Sequence, residues 1–249
     1  MSNPVAPAKS YWQASRAPRY SLVFAFPLLI GYEVLAFALT HDAMEGVRNG
    51  ADVLLKSLFL VLGGRYGLAA FGAVLIGSGM YLVWRDRRRA GPWDARVFVG
   101  MAFESLAYAF LFGGVTSTLT GLLVHGSLSI ASGGSVARLD LPTQLMVSLG
   151  AGIYEELLFR VLLVSLLAGM GRVMFGWGAR AAGFFAAGLG ALIFAAFHYL
   201  GPYGDRLTLG SFVFRTIAGL LFSGLYLLRG FGITAWTHAL YDVLLALGA

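Results

Sequence analysis

The sequence predicts an all-α fold, a polytopic membrane helix bundle of about seven to eight transmembrane helices. Of the 249 residues, 58% are hydrophobic and only 12% charged. Mean hydropathy is +0.77, and several apolar runs approach the ~20 residues that a spanning helix needs. Residues 1–19 are polar and read as a cytoplasmic N-terminal tail; 20–249 read as a single integral membrane domain, so any chemistry must lie within the bundle. The chain has no cysteine, which excludes disulfides and thiolate ligands. Its net charge of +6 comes from arginines grouped at helix ends, which points to membrane lipid as the neighbour and away from nucleic acid.

The first span is 20–40, too long for the ~7–15-residue apolar core of a secretory signal. After the loop 41–50, residues 51–63 form a short, partly amphipathic segment carrying Lys56, read as interfacial or as an eighth span. The second span is about 67–84. The following WRDRRRAGPWD at 84–94 brings together Arg85, Arg87, Arg88 and Arg89 with two tryptophans, so it is assigned to the cytoplasmic side. Further spans are expected at about 97–123, 143–168, 183–200, 209–228 and 232–247. Every strongly basic loop then falls on one face, the N-terminus is cytoplasmic, and a bacterial inner (cell) membrane is the expected location. Glycine is abundant, with 34 residues, as suits helices that pack closely in lipid. Gly183, Ala187, Ala191 and Ala195 recur every four residues and offer a flat face to a neighbour.

Glu155, Glu156 and Arg160 lie inside the apolar stretch 146–167, where an isolated charge costs at least ~2.5–3.5 kcal/mol. Glu156 and Arg160 are four residues apart with the acid first, the favourable order for a pair on one helix face. Glu155 points ~100° away and must be protonated, wetted or paired with another span. His198, His238 and Asp242 are the other polar groups at depth. Phe194 and His198 share one face, and His238 and Asp242 share another. Counted from the inner loops at 1.5 Å per residue, Glu155 and His198 stand ~20 Å above the inner boundary, and His238 and Asp242 ~12–18 Å. The four can meet if their helices adjoin. A carboxylate with an imidazole can activate water, and a second imidazole with a polar neighbour can stabilise an oxyanion.

These residues form Glu155-Glu156-x-x-x-Arg160, Phe194-x-x-x-His198 and His238-x-x-x-Asp242, in that order on successive helices. The pattern resembles the CPBP family of intramembrane proteases, also called the Abi or CAAX-protease family, over about 145–245. The resemblance implies a catalytic core at about 143–247 and an endopeptidase that cleaves a membrane-associated or lipid-modified peptide or protein. It implies that Glu155 and His198 deprotonate the attacking water, that His238 and Asp242 bind the carbonyl oxygen, and that Glu156, Arg160 and Phe194 support them. Asp242 departs from the asparagine of many members, so it is either protonated or orients His238. No cofactor is expected. Zinc at Glu155, His198 and His238 is the alternative, although the HExxH helix of zinc proteases is absent. The competing functions are a proton- or solute-coupled carrier, which lacks support from any internal duplication, and a non-catalytic Abi-type scaffold. Glu33, Glu104 and Arg215 are read as interhelical partners, with Glu104 or Arg215 in a substrate groove as the sharper reading; His41 and His125 are read as solvated.

Overall fold

The computed structural model describes residues 10–40, 46–88, 92–124, 136–201 and 204–248; His41 and His125 lie outside them. All secondary structure among the described residues is helical. The helices are α1 (Tyr11–Ser15), α2 (Pro18–Thr40), α3 (Gly50–Gly63), α4 (Gly67–Arg87), α5 (Ala95–Val124), α6 (Leu141–Gly150), a π-helical segment (Ala151–Val164), α7 (Ser165–Met174), α8 (Ala179–Phe197), α9 (Leu209–Arg229) and α10 (Phe231–Ala246). Six helical stretches among the described residues are long and apolar enough to cross a membrane: Pro18–Leu39, Gly50–Arg87, Ala95–Val124, Leu141–Met174, Ala179–Phe197 and Leu209–Arg229. The chain is therefore a multi-pass integral membrane protein.

These six fit the expected bundle of about seven to eight helices, because one of the stretches holds two helices and α10 adds another. The stretch Gly50–Arg87 contains a reversal: the Phe59 and Phe71 rings meet at 5.4 Å, whereas an unbroken helix would hold them ~18 Å apart. Gly64 takes the turn with φ of +52°, and a Cβ on Gly67 would lie 2.4 Å from the Phe59 carbonyl oxygen. The seventh expected span, α10, has 16 residues and reaches only ~24 Å, short of the ~30 Å hydrocarbon layer.

What α10 lacks in length it makes up in position. It packs against α2, α5, α6, the π segment and α9, and is buried on most of its circumference, from Gly232 to Tyr241. Its Ala235 and Ala239 belong to one apolar cluster with Tyr32, Leu55, Phe71 and Tyr154. Its Ile233 and Tyr241 belong to a second, with Met101, Phe112 and Phe222. The surrounding helices each turn one narrow seam inward. On α5 the buried residues are Val97, Met101, Ser105, Ala109, Phe112, Thr116 and Thr120, a single stripe at helical spacing. Large residues such as Phe103, Phe110 and Leu122 face outward. Lipid removes any hydrophobic drive between helices, so close approach decides which face turns in. The α8 seam follows the same rule with a shift. Ala191 meets α9, where a Cβ on Gly219 would lie 3.1 Å from it, but a Cβ on Gly183 would meet nothing within 4 Å. Ala182 and Gly190 instead face Gly171 and Val164.

Residues 10–17 are docked on the bundle through Tyr11, Trp12 and Ser15. Arg229 at the end of α9 is fully buried and donates from Nε and Nη2 to Glu104 of α5 at 2.5 and 2.7 Å. It also donates to Ser15 Oγ at 2.9 Å and lies 3.7 Å over the Trp12 ring. The Tyr11 hydroxyl donates to Glu104 Oε2 at 2.6 Å. Burial and that carboxylate raise the Tyr11 pKa, so the phenol remains the donor. Lys56 is buried and binds Asp52 at 2.8 Å and Glu33 at 2.9 Å. Arg215 pairs with Asp205. Glu33, Glu104 and Arg215 thus all take interhelical or loop partners.

Removing one partner of a buried ion pair leaves the other uncompensated, so Arg229→Met is expected to cost ~3 kcal/mol or more. The check is thermal unfolding in detergent together with limited proteolysis, which should cut the variant first near α1.

Candidate active site

The segment carrying Glu155, Glu156 and Arg160 is wound as a π-helix, Ala151–Val164. Such wide turns within longer helices accompany functional sites, and here the wider turn still sends the adjacent glutamates to different neighbours. Two glycines let those neighbours come close. A Cβ on Gly152 would lie 2.5 Å from the Ala235 carbonyl oxygen of α10, and one on Gly150 would lie 2.6 Å from Tyr32 and 2.8 Å from Asn49 Cβ.

Glu156 is fully buried and faces α10. Its Oε1 accepts from His238 Nδ1–H at 2.6 Å and lies 3.2 Å from Arg160 Nη1. The expected Glu156–Arg160 pair therefore exists, with His238 as a further partner that helical spacing could not reveal. The Arg160 guanidinium lies 4.3 Å over Phe194 and 5.5 Å from Phe222. The His238 ring stacks on Phe222 at 4.3 Å, and its Nε2 faces Asp242 Oδ2 at 3.7 Å. That distance is too long for a hydrogen bond but close enough for charge.

Glu155 faces the other way, toward the end of α8 and the start of α3. Its Oε1 accepts from Asn49 Nδ2 at 2.7 Å, and its Oε2, buried and without a hydrogen-bond partner among the described residues, faces His198 Nε2 at 3.8 Å. His198 caps α8, and its Nδ1 lies 2.8 Å from the Phe194 carbonyl. A carbonyl can only accept, so Nδ1 carries a proton, and in the neutral ring Nε2 is then a bare lone pair. Glu155 Oε2 and His198 Nε2 are thus two proton acceptors aimed across one small gap. Phe194 joins the halves of the site, with ring centres 4.7 Å from His198 and 6.1 Å from His238.

Glu155, His198, His238 and Asp242 are therefore brought into one cluster, backed by Glu156, Arg160 and Phe194. Sequence reasoning missed Asn49, Phe222 and the close approach at Gly152. A signal for the first existed: Arg48, Asp52 and Lys56 alternate in sign at four-residue spacing on either side of an asparagine that can start a helix. Among the described residues no group of three His, Cys, Asp or Glu side chains is placed to hold a metal ion.

Residues 137–244 match the family model described as type II CAAX prenyl endopeptidase Rce1-like. The match bears out the resemblance drawn from the three motifs and covers all of them. No curated protein and no solved structure matches the chain.

Gly152→Ala is expected to overpack the contact with α10 and cost ~1–3 kcal/mol. Gly183→Ala, where an added Cβ meets nothing within 4 Å, should be neutral or stabilising. Thermal unfolding of the two variants in detergent, side by side, is the check.

Proposed function

From the match of residues 137–244 to the Rce1-like type II CAAX prenyl endopeptidase family model, we propose that this chain is a glutamate-dependent intramembrane endopeptidase. The family supports a CAAX-type membrane protease; the mechanism and the residue roles are our reading. The observation that carries it is the facing pair of acceptors, Glu155 Oε2 and His198 Nε2, 3.8 Å apart. A water donating one hydrogen to each would be held with its remaining lone pair directed outward. Transfer of a proton to Glu155 as that oxygen attacks the scissile carbonyl makes hydroxide addition possible at neutral pH. The same proton then passes to the leaving amine.

The oxyanion formed by the attack needs positive charge or donors placed beforehand. His238 supplies them as an imidazolium: Nδ1–H is held by Glu156 Oε1, and Nε2–H points toward Asp242 and the oxyanion position. Glu156 orients the ring, and Arg160, pressed on Phe194 and Phe222, offsets the carboxylate charge. Asp242 acts through His238, steering Nε2–H by charge at 3.7 Å. Water supplies the nucleophile, so the balance closes without a redox partner. The substrate class is a membrane-associated or lipid-modified peptide, of the CAAX type or a leader or sorting segment.

Purified protein in detergent, given a mixture of farnesylated and unmodified membrane peptides, should cleave. Glu155→Gln and His198→Ala should lower the rate by ~10²-fold or more, and a strong chelator should have no effect. Glu156→Gln should lower both activity and Tm, because it weakens the holds on His238 and Arg160. Loss of cleavage on chelation would restore the zinc mechanism, and equal effects of Glu155→Gln and Glu156→Gln would overturn the division of labour. Asp242→Asn, which places an amide donor beside the oxyanion, should keep activity, whereas Asp242→Ala should lose ~10-fold or more.

A further inference from the structure

The family match begins at residue 137, yet one contact to the proposed base comes from far outside it. Asn49 is 3% exposed and precedes α3. Its Oδ1 accepts from Ala51 N–H at 2.9 Å as the helix cap, and its Nδ2 donates to Glu155 Oε1 at 2.7 Å. The two contacts fix the amide orientation: a flip would set oxygen against carboxylate and NH₂ against N–H. The cap on its own would be an ordinary structural role, but a cap needs only the oxygen. The amide nitrogen has a separate partner, and Gly150 leaves the space that lets it approach.

The residues around Asn49 hold it in place. Its backbone N–H donates to the Tyr32 hydroxyl at 3.2 Å, which donates to Asp52 Oδ2 at 2.7 Å. Asp52 is clamped by Arg48 at 3.1 Å and Lys56 at 2.8 Å. Lys56 reaches on to Glu33 at 2.9 Å, which also accepts from Tyr154 on the π segment. Two cations and two carboxylates thus tie α2, α3 and the π segment into one frame with Asn49 at its end. Resting on the peptidase reading of Glu155, we infer that Asn49 is a positioning residue for catalysis. Its amide occupies Glu155 Oε1, holds the carboxylate in one rotamer, and leaves Oε2 as the oxygen that meets water beside His198. The N-terminal half of the chain thereby completes a site whose motifs all lie in the C-terminal half.

Asn49→Asp and Asn49→Ser separate this role from capping. Both keep a good cap oxygen; the aspartate sets an acceptor against Glu155, and the serine is too short to reach it. With the peptide mixture above, both should lower kcat per folded protein at least ~10-fold while KM stays near wild type; Tm should fall in Asn49→Asp, which sets two buried carboxylates against each other, and less in Asn49→Ser, which keeps the cap oxygen. Asn49→Ala should lower Tm as well. A readout independent of turnover is the infrared carboxylate band of Glu155, assigned as the difference between wild type and Glu155→Gln. The band should shift in Asn49→Ser. Wild-type kcat and an unshifted band in Asn49→Ser, with Glu155→Gln inactive, would overturn the Asn49 assignment alone. Cleavage surviving in Glu155→Gln would overturn the peptidase reading, and the inference with it. A loss of kcat fully matched by loss of folded protein in Asn49→Ser would reduce Asn49 to a cap and also overturn it.

Discussion

Burial of Glu156 is the constraint on which the rest of the structure depends. A carboxylate with no solvent exposure survives in an apolar bundle only if its charge is met locally, and two groups meet it, Arg160 on its own segment and His238 on α10. The second contact crosses between helices. It requires α10 to lie against the π segment, which Gly152 permits by having no Cβ. Once α10 is held there, its remaining faces are covered by α2, α5, α6 and α9, and a helix of 16 residues becomes the centre of the fold.

The same logic accounts for the other intramembrane charges. Glu33, Asp52, Arg48 and Lys56 form a balanced group at the junction of α2, α3 and the π segment, and Glu104 and Arg229 another at the end of the bundle where α1 docks. Each group sits where helices cross. In lipid, apolar side chains gain nothing by leaving tails for one another, so small seams allow contact while paired charges make it specific. Glu155 differs from all of these: one of its oxygens is satisfied by Asn49 and the other faces a histidine acceptor across a gap. Glu155 therefore reads as poised for chemistry, while the other carboxylates read as structural fastenings.

Much of this was legible in the residues themselves. The apolar runs marked all the long helices, because the ~30 Å hydrocarbon layer dictates length and composition together. The i, i+4 spacings within Glu156–Arg160, Phe194–His198 and His238–Asp242 survive as contacts, because such spacing needs only a helix, regular or wide. The glutamates' separate orientations and the approximate common depth of the four polar groups also followed from rise per residue. The shift of the α8 seam toward Ala182 and Gly190, and the burial of Lys56, did not follow. Both depend on which neighbour arrives at a face, and periodicity carries no information about that.

The sequence by itself determined that this is a membrane bundle and which polar residues lie within its apolar stretches, since the cost of charge in lipid makes each such residue conspicuous. Only the tertiary structure decided how they combine. It gave Glu156 to His238, Asn49 to Glu155, and the facing lone pairs to Glu155 and His198. Those pairings join residues as far apart in the chain as 49 and 155. They are set by helix approach at Gly150 and Gly152 and by ion pairs between helices, both of which exist only after the helices have packed.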